Sequence, residues 1–244
     1  MPTTLSIVIP IWNEERRLAA LLAGLDADAD RVASELVLDL VEVIAVDDGS
    51  TDRTPELLAA YHGLGDRFRV LRFPRNRGKG AAVRDGMLAA RSDLALMTDA
   101  DLSTPLDELA LLLAAVRNGT DVAIGSRALD RSKVLVHQPI YRELMGRVFN
   151  RLLRRITSLP YRDTQCGFKL FRLETAIRLF ELQRIAGFAF DAELLVNARR
   201  LGLRVEEIPV RWIDNPDTHV GLLSSSAQMA FDTLRIAYRS HRPL

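Results

Sequence analysis

The chain is poor in cysteine, and that limits its chemistry first. Its 244 residues hold one cysteine, Cys166, so neither an intrachain disulfide nor a cysteine-rich zinc site can form. Net charge is also scarce. Lys and Arg number 33 against 32 Asp and Glu, a formal charge of +1, which argues against a nucleic-acid partner. No apolar run of about 18 residues occurs, so no simple membrane span is encoded. The opening MPTTLSIVIPIWNEE lacks a basic n-region and meets Asn13 and Glu14 too early for a signal peptide. These absences predict a cytoplasmic protein that would meet a membrane only from its surface. There is no G-x-x-x-x-G-K-[ST] and no G-x-G-x-x-G, which disfavours a P-loop NTPase and a dinucleotide oxidoreductase. What is present is ordinary for a globular domain: 48% hydrophobic and 27% charged residues.

The first half alternates short apolar runs with helical spacing. Leu5 to Ile11, Val41 to Val46, Val70 to Phe73, Leu94 to Thr98 and Val122 to Gly125 read as buried strands. Leu18, Leu21, Leu22 and Leu25 mark a first helix, and Thr51 or Asp52 is placed to cap a second. Gly78 to Ala90 reads as a third, and Pro105 opens a fourth. Strands alternating with helices predict an open, twisted, mostly parallel α/β sheet covered on both faces. Ligands bind such sheets outside the carboxyl ends of the strands. Asn13-Glu14, Asp47-Asp48-Gly49, Asn76-Arg77-Gly78 and Asp99-Ala100-Asp101 all fall at such ends.

Asp99 and Asp101, one residue apart, can converge on a hard divalent cation that bridges diphosphate oxygens. A solvated turn is the alternative. Asp47 and Asp48 suit a ribose or base contact, or an Asx turn. The run from Arg75 to Gly80 sets glycines and cations at a helix start, favourable to phosphate, or is a basic surface loop. The second half is distinct. Between Arg127 and Arg162 lie nine basic residues and two acidic ones, +7 in a chain whose total is +1. Leu144, Val148, Leu152 and Ile156 recur every fourth residue there, as in an amphipathic basic helix. A second such helix ends the chain, with Met229, Phe231, Leu234, Ile236 and Tyr238, and its apolar side is expected to pack into the core. No linker or repeat is evident. We expect one domain over 1–244, made of a half at 1–126 that carries the strand-end motifs and a half at 127–244 that carries the basic amphipathic helices.

IPIWNEE, VDDGSTDRT, NRGKGAAVRDGM, TDADLSTP, IGSR, DTQCGFKLF, GFAFDAELL and EIPVRW occur in that order along the chain. Together they resemble the family 2 glycosyltransferases, which have the GT-A fold. DTQCGFK and FDAE resemble in particular the branch that makes polyprenyl- and dolichyl-phosphate hexoses. The resemblance implies an enzyme moving a hexose, glucose from UDP-glucose, onto a polyprenyl or dolichyl monophosphate. Mg²⁺ or Mn²⁺ would assist, at the cytoplasmic face of a membrane. It implies that Pro10, Asn13 and Glu14 line the nucleotide pocket and that Asp47 contacts uracil or ribose, with Asp48 beside it. Lys79 would sit near the base or diphosphate, Asp99 and Asp101 would hold the metal, and Gln165 would line the sugar pocket. Asp191 and Glu193 would lie near that sugar. Ser126, Arg127 and Arg142 would border the acceptor phosphate.

Two departures from the mannosyl branch favour the glucosyl one: Ser103 where a Gln is usual, and Gly146 where a Ser helps bind phosphate. Thr218-His219 replaces a Ser-Lys pair, with His219 a candidate substitute cation. A GDP-mannose donor, or a soluble or saccharide acceptor, remains the alternative. A soluble acceptor would need a general base, for which Asp191 or Glu193 is placed. A phosphate nucleophile needs none, because it is already largely anionic at neutral pH. No histidine falls in the strand-end motifs: His62, His137, His219 and His241 lie outside them.

Overall fold

The computed structural model describes residues 2–136, 140–214 and 222–240. In the two helices that follow the gaps, side chains are described at 146–148 and 150–157, and at 228, 229 and 231–239. Calls on His137, Thr218, His219 and His241 lie outside the described residues, as does the side chain of Arg142.

The chain opens with β1 (Thr3–Ile11), α1 (Leu18–Glu35), β2 (Leu38–Asp47), α2 (Thr54–Ala59), β3 (Phe68–Arg72) and α3 (Lys79–Ala89). Then come β4 (Leu94–Met97), α4 (Leu109–Arg117), β5 (Val122–Ser126), β6 (Val134–Val136) and α5 (Ile140–Thr157). It closes with β7 (Lys169–Arg172), α6 (Leu173–Leu182), α7 (Phe190–Arg200), β8 (Val205–Pro209), β9 (Trp212–Ile213) and α8 (Leu222–Ser240). Seven strands form one sheet in the order β3-β2-β1-β4-β7-β5-β8. All neighbours are parallel except β7, which runs antiparallel between β4 and β5. β6 and β9 pair separately, in parallel.

Continuous apolar strands follow from burial on both faces. Leu5, Ile7 and Ile9 join the core cluster with Leu18, Leu25 and Leu112, while Val8 between them joins Val83, Met87, Phe180 and Phe190. That is the two-residue alternation of a strand. Strand order reverses between β1 and β4: the chain builds outward through β2 and β3, then returns to β1's other side. This is the crevice where doubly wound sheets bind ligands. Ile11 pairs with Asp47, and the Thr98 amide bonds Val8 O at 3.1 Å, so the ends of β1, β2 and β4 lie on one rim.

Several local expectations are corrected. β2 begins at Leu38, before the expected Val41, and carries Glu42 into the core. Glu42 survives there because Ser6 Oγ and the Arg91 amide donate to it, and Arg69 pairs with it. Thr51 does not cap α2. That helix begins at Thr54, and Asp52 accepts from the Thr54 amide at 3.0 Å. On α5, Val148 and Leu152 turn outward, 58% and 52% exposed, while Leu153 and Thr157 are buried. The four-residue row is therefore not the core face. On α8, Ile236 is buried, but Phe231, Leu234 and Tyr238 are 59%, 59% and 63% exposed, against the expected core packing.

Candidate active site

β4 delivers Asp99 to the rim. Its carboxylate rests on Gly167, so closely that a Cβ there would stand 2.1 Å from Oδ2. Oδ1 meets Lys79 Nζ at 2.6 Å in an ion pair but makes no well-angled hydrogen bond. Burial raises the Asp99 pKa, and the positive charge of Lys79 outweighs it, so the group is held below its ordinary value. Asp101 goes the other way, raised by burial and by the Asp99 charge. The Ser103 amide donates to Asp101 Oδ1 at 2.9 Å. Two hard carboxylates, one with an unbonded oxygen in a glycine-backed seat, fit a small divalent cation. Among the described residues no third His, Cys, Asp or Glu joins them as a cluster. The remaining positions would fall to water or substrate oxygens, the arrangement Mg²⁺ favours.

Behind Asp99 lies Lys169, fully buried on β7. Its ammonium pairs with Asp191 of α7 at 2.5 Å and donates to Cys166 O. The motif reading did not single out Lys169, since within the apolar FKLF run nothing marks a cation as buried. The Asp191 carboxyl is raised by burial despite that partner. Burial pushes the Cys166 thiol up to about 11, which leaves it unreactive at neutral pH.

Asp48 and the Arg75–Gly80 segment engage each other. Asp48 Oδ1 accepts from the Arg77 amide at 2.7 Å, and Oδ2 from the Gly78 amide at 2.8 Å and Asn76 Nδ2 at 3.0 Å. The amides expected to be open to phosphate are thus partly spent on a carboxylate. Gly78 has φ +102°, and a Cβ there would meet Ala186 O at 2.5 Å, so only glycine fits. Asp47 is fully buried. Its Oδ1 accepts from the Ser50 amide at 2.9 Å, and its Oδ2 lies 3.2 Å from Arg72 Nε without a well-angled bond. Asn13, at φ 53°, clasps the same loop: its amide donates to Ser50 Oγ and its Oδ1 accepts from Thr51. Pro10 lies on β1, half-buried beside Val46 in register. Glu14 is turned to Arg17, which grips it through Nε and Nη2 at 2.7 and 2.6 Å.

A third group forms beyond β5. Arg127 binds Asp163 through Nε and Nη2 at 2.7 and 2.9 Å and lies 5.5 Å over the Trp212 ring. Glu207 of β8 accepts from Ser126 Oγ and from the Arg162 and Asp163 amides. Burial opposes ionisation of Asp163, yet Arg127 holds it below its ordinary value. The side-chain nitrogen Nε2 of Gln165 is buried with no hydrogen-bond partner. Glu193 accepts from the Arg184 and Ile185 amides at 2.9 and 2.7 Å, which commits it to holding that loop. The roles of Asp163 and Glu207 were hidden in sequence, because both act by accepting main-chain amides that only the fold supplies.

The structure therefore joins Lys79, Asp99, Lys169 and Asp191 in one linked cluster, with Asp101 feeling the Asp99 charge and Arg127 close enough to lower Asp99. This is an acid–cation cluster at the crevice of a doubly wound sheet. The chain matches the family model described as "Glycosyl transferase family 2" over residues 6–180. It is 36% identical over 237 residues to dolichyl-phosphate beta-glucosyltransferase ALG5C of Trichomonas vaginalis, covering 95% of this chain and 70% of that one. To the Homo sapiens dolichyl-phosphate beta-glucosyltransferase it is 34% identical, covering 96% and 75%. Among solved structures, glucosyl-3-phosphoglycerate synthase from Mycobacterium tuberculosis, in complex with Mn²⁺ and UDP-glucose, superposes with TM-score 0.68 at 22% identity. It covers 99% of this chain and 80% of that one. Mannosyl-3-phosphoglycerate synthase from Rubrobacter xylanophilus gives TM-score 0.68 at 18% identity, covering 97% and 73%. The expected GT-A fold is therefore borne out, and the chain belongs to the family 2 glycosyltransferases.

Proposed function

We propose that this glycosyltransferase moves glucose from UDP-glucose onto the phosphate of dolichol or another polyprenol. One observation of the site carries the reading. Both carboxylates placed to serve as a general base are already committed, Asp191 to Lys169 and Glu193 to two backbone amides. A nucleophile that arrives ionised, such as a phosphate oxygen, suits a site in which both of these carboxylates are committed. The relatives named dolichyl-phosphate beta-glucosyltransferases point the same way.

Asp47, with its unbonded buried oxygen, would accept from the base or ribose, and Asn13 would hold the loop that carries it. Lys79 would meet the diphosphate. Gln165 would donate its unsatisfied amide to a sugar hydroxyl. Asp99 and Asp101 would hold Mg²⁺ or Mn²⁺, which when bound neutralises charge on the departing nucleotide. Arg127, fixed by Asp163, would orient the acceptor phosphate, with Ser126 beneath it and Arg142 as a second cation. The acceptor oxygen then bonds the anomeric carbon as the bond to the β-phosphate oxygen breaks. UDP leaves with that electron pair, and the anomeric centre inverts. Positioning and electrostatics supply the acceleration.

A long-chain lipid acceptor would be met at a membrane surface. α5 is tied to the Arg127 region through Asn150, which accepts from Thr164 Oγ1. Its outward Val148 and Leu152 stand among Arg147, Arg151 and Arg155. Outward apolar groups among cations suit the interface of an anionic leaflet. No helix among the described residues is long and apolar enough to cross a membrane.

The test supplies UDP-glucose, GDP-mannose and UDP-N-acetylglucosamine separately with a short polyprenyl phosphate and Mg²⁺ or Mn²⁺, and counts organic-phase label. Label from UDP-glucose that disappears in Asp101→Ala is expected. Label from GDP-mannose instead would reassign the donor. No lipid label from any donor would refute the acceptor.

A further inference from the structure

We propose that Lys79 is the resident counter-ion of Asp99, and that a divalent cation must displace it. The cation and the donor's diphosphate would then enter together. The inference rests on the metal-assisted reading above. Its basis is one contact: Lys79 Nζ lies 2.6 Å from Asp99 Oδ1, the oxygen that makes no well-angled hydrogen bond. An ammonium and a metal cannot both occupy that side of one carboxylate oxygen. Each would also repel the other at a few ångströms in a partly buried site.

The backbone cannot carry Lys79 away. It is the first residue of α3, and the preceding amides of Arg77 and Gly78 are held by Asp48. The following glycine is jammed, since a Cβ on Gly80 would meet Ile185 O at 2.7 Å. Only the four-carbon stem can swing, and a lysine stem does so readily. Its destination must be an anion. Asp191 is taken by Lys169, with side chains 3% and 1% exposed. Asp163 is taken by Arg127. With those two pairs self-neutralised, Lys79 faces Asp99 and Asp101, leaving a local charge of about −1. A dication alone would reverse that sign and strand Lys79. A diphosphate entering beside it restores balance and offers the ammonium a new partner.

The consequence is linkage. Diphosphate would tighten cation binding and the cation would tighten diphosphate by the same factor. Part of that factor would reside in Lys79.

The experiment titrates Mn²⁺ by electron paramagnetic resonance into wild type, Lys79→Met and Lys79→Arg, each with and without UDP. Lys79→Met is expected to bind Mn²⁺ alone about tenfold more tightly than wild type, within the usual range of site coupling. Lys79→Arg, which keeps the charge, should stay weak. UDP should then tighten Mn²⁺ less in Lys79→Met than in wild type. Mn²⁺ binding by Lys79→Met no tighter than wild type would overturn the inference and leave the metal reading intact. No Mn²⁺ binding by any of the three, even with UDP, would overturn the metal reading and the inference with it. A second measurement needs no variant: amine acylation of wild-type Lys79, read by mass spectrometry. Mn²⁺ alone should raise the labelling and UDP should lower it again. Labelling unchanged by Mn²⁺ would count against displacement.

Discussion

Replacing Gly167 with alanine isolates the seat of Asp99 from every other property of the site. Gly167 is not in the left-handed region, so the backbone accepts alanine without strain. The added Cβ would stand 2.1 Å from Asp99 Oδ2, 2.3 Å from Cγ and 2.5 Å from Oδ1. To reach van der Waals separation the carboxylate must withdraw by about 1 Å or more. That movement breaks the 2.6 Å contact with Lys79 and separates Asp99 from Asp101 as a pair of ligands. Overpacking of this kind costs about 1–3 kcal/mol, or roughly 2–12 °C in Tm at this chain length. A misplacement of about 1 Å at a reacting centre costs about 10²-fold in rate. We therefore expect Gly167→Ala to lower kcat/KM for organic-phase label about 100-fold while the protein still melts cooperatively. Gly187→Ala is the control, because its Cβ would find only Asp232 Oδ2, at 3.8 Å. Activity of Gly167→Ala within threefold of wild type, with Gly187→Ala also unaffected, would refute the claim that Gly167 fixes Asp99.

Lys169→Met should destabilise the protein by about 3–5 kcal/mol in urea denaturation, because it strands a buried carboxylate. The loss should be greater at pH 8 than at pH 5. The Asp191 carboxyl is already raised by burial, and a raised carboxyl contributes stability at low pH that is lost as pH rises through its folded pKa. Adding Asp191→Leu should recover most of the loss, and a double variant no better than the single would show that the pair is not self-contained. Asp163 titrates below its ordinary 3.8, so its contribution is full above that value and fades as pH falls below it. The urea midpoint of Asp163→Asn should accordingly fall less steeply than that of wild type between pH 4 and pH 3. Gly146→Ala, on α5 with nothing within 4 Å of the added carbon, should raise stability by about 0.5–1 kcal/mol. Leu152→Glu combined with Val148→Glu should abolish sedimentation with vesicles containing phosphatidylglycerol while sparing turnover of a short, water-soluble polyprenyl phosphate. Unchanged sedimentation would exclude α5 as a membrane-facing surface.

The sequence alone determined the elements that local pattern encodes. Largely apolar runs marked β1, β2, β4 and β5, because strands buried on both faces need apolar side chains at nearly every position. The acids and glycines closing those runs marked the rim, because polar groups at a strand's carboxyl end have no ladder to continue. The ordered motifs carried the family. The antiparallel insertion of β7 was not legible, since KLFR says nothing of its neighbours' direction. Tertiary structure alone decided which charges pair. Asp48 and Glu193 read as ligands in sequence, but the fold brings main-chain amides to them. Nothing in sequence singles out Lys169, and only closure of β7 onto α7 buries it against Asp191. The outward faces of α5 and α8 were likewise decided by packing, because a four-residue row fixes which side chains share a face and not which way that face turns. Ion pairing and burial depend on residues distant in sequence, whereas periodicity depends on neighbours along the chain.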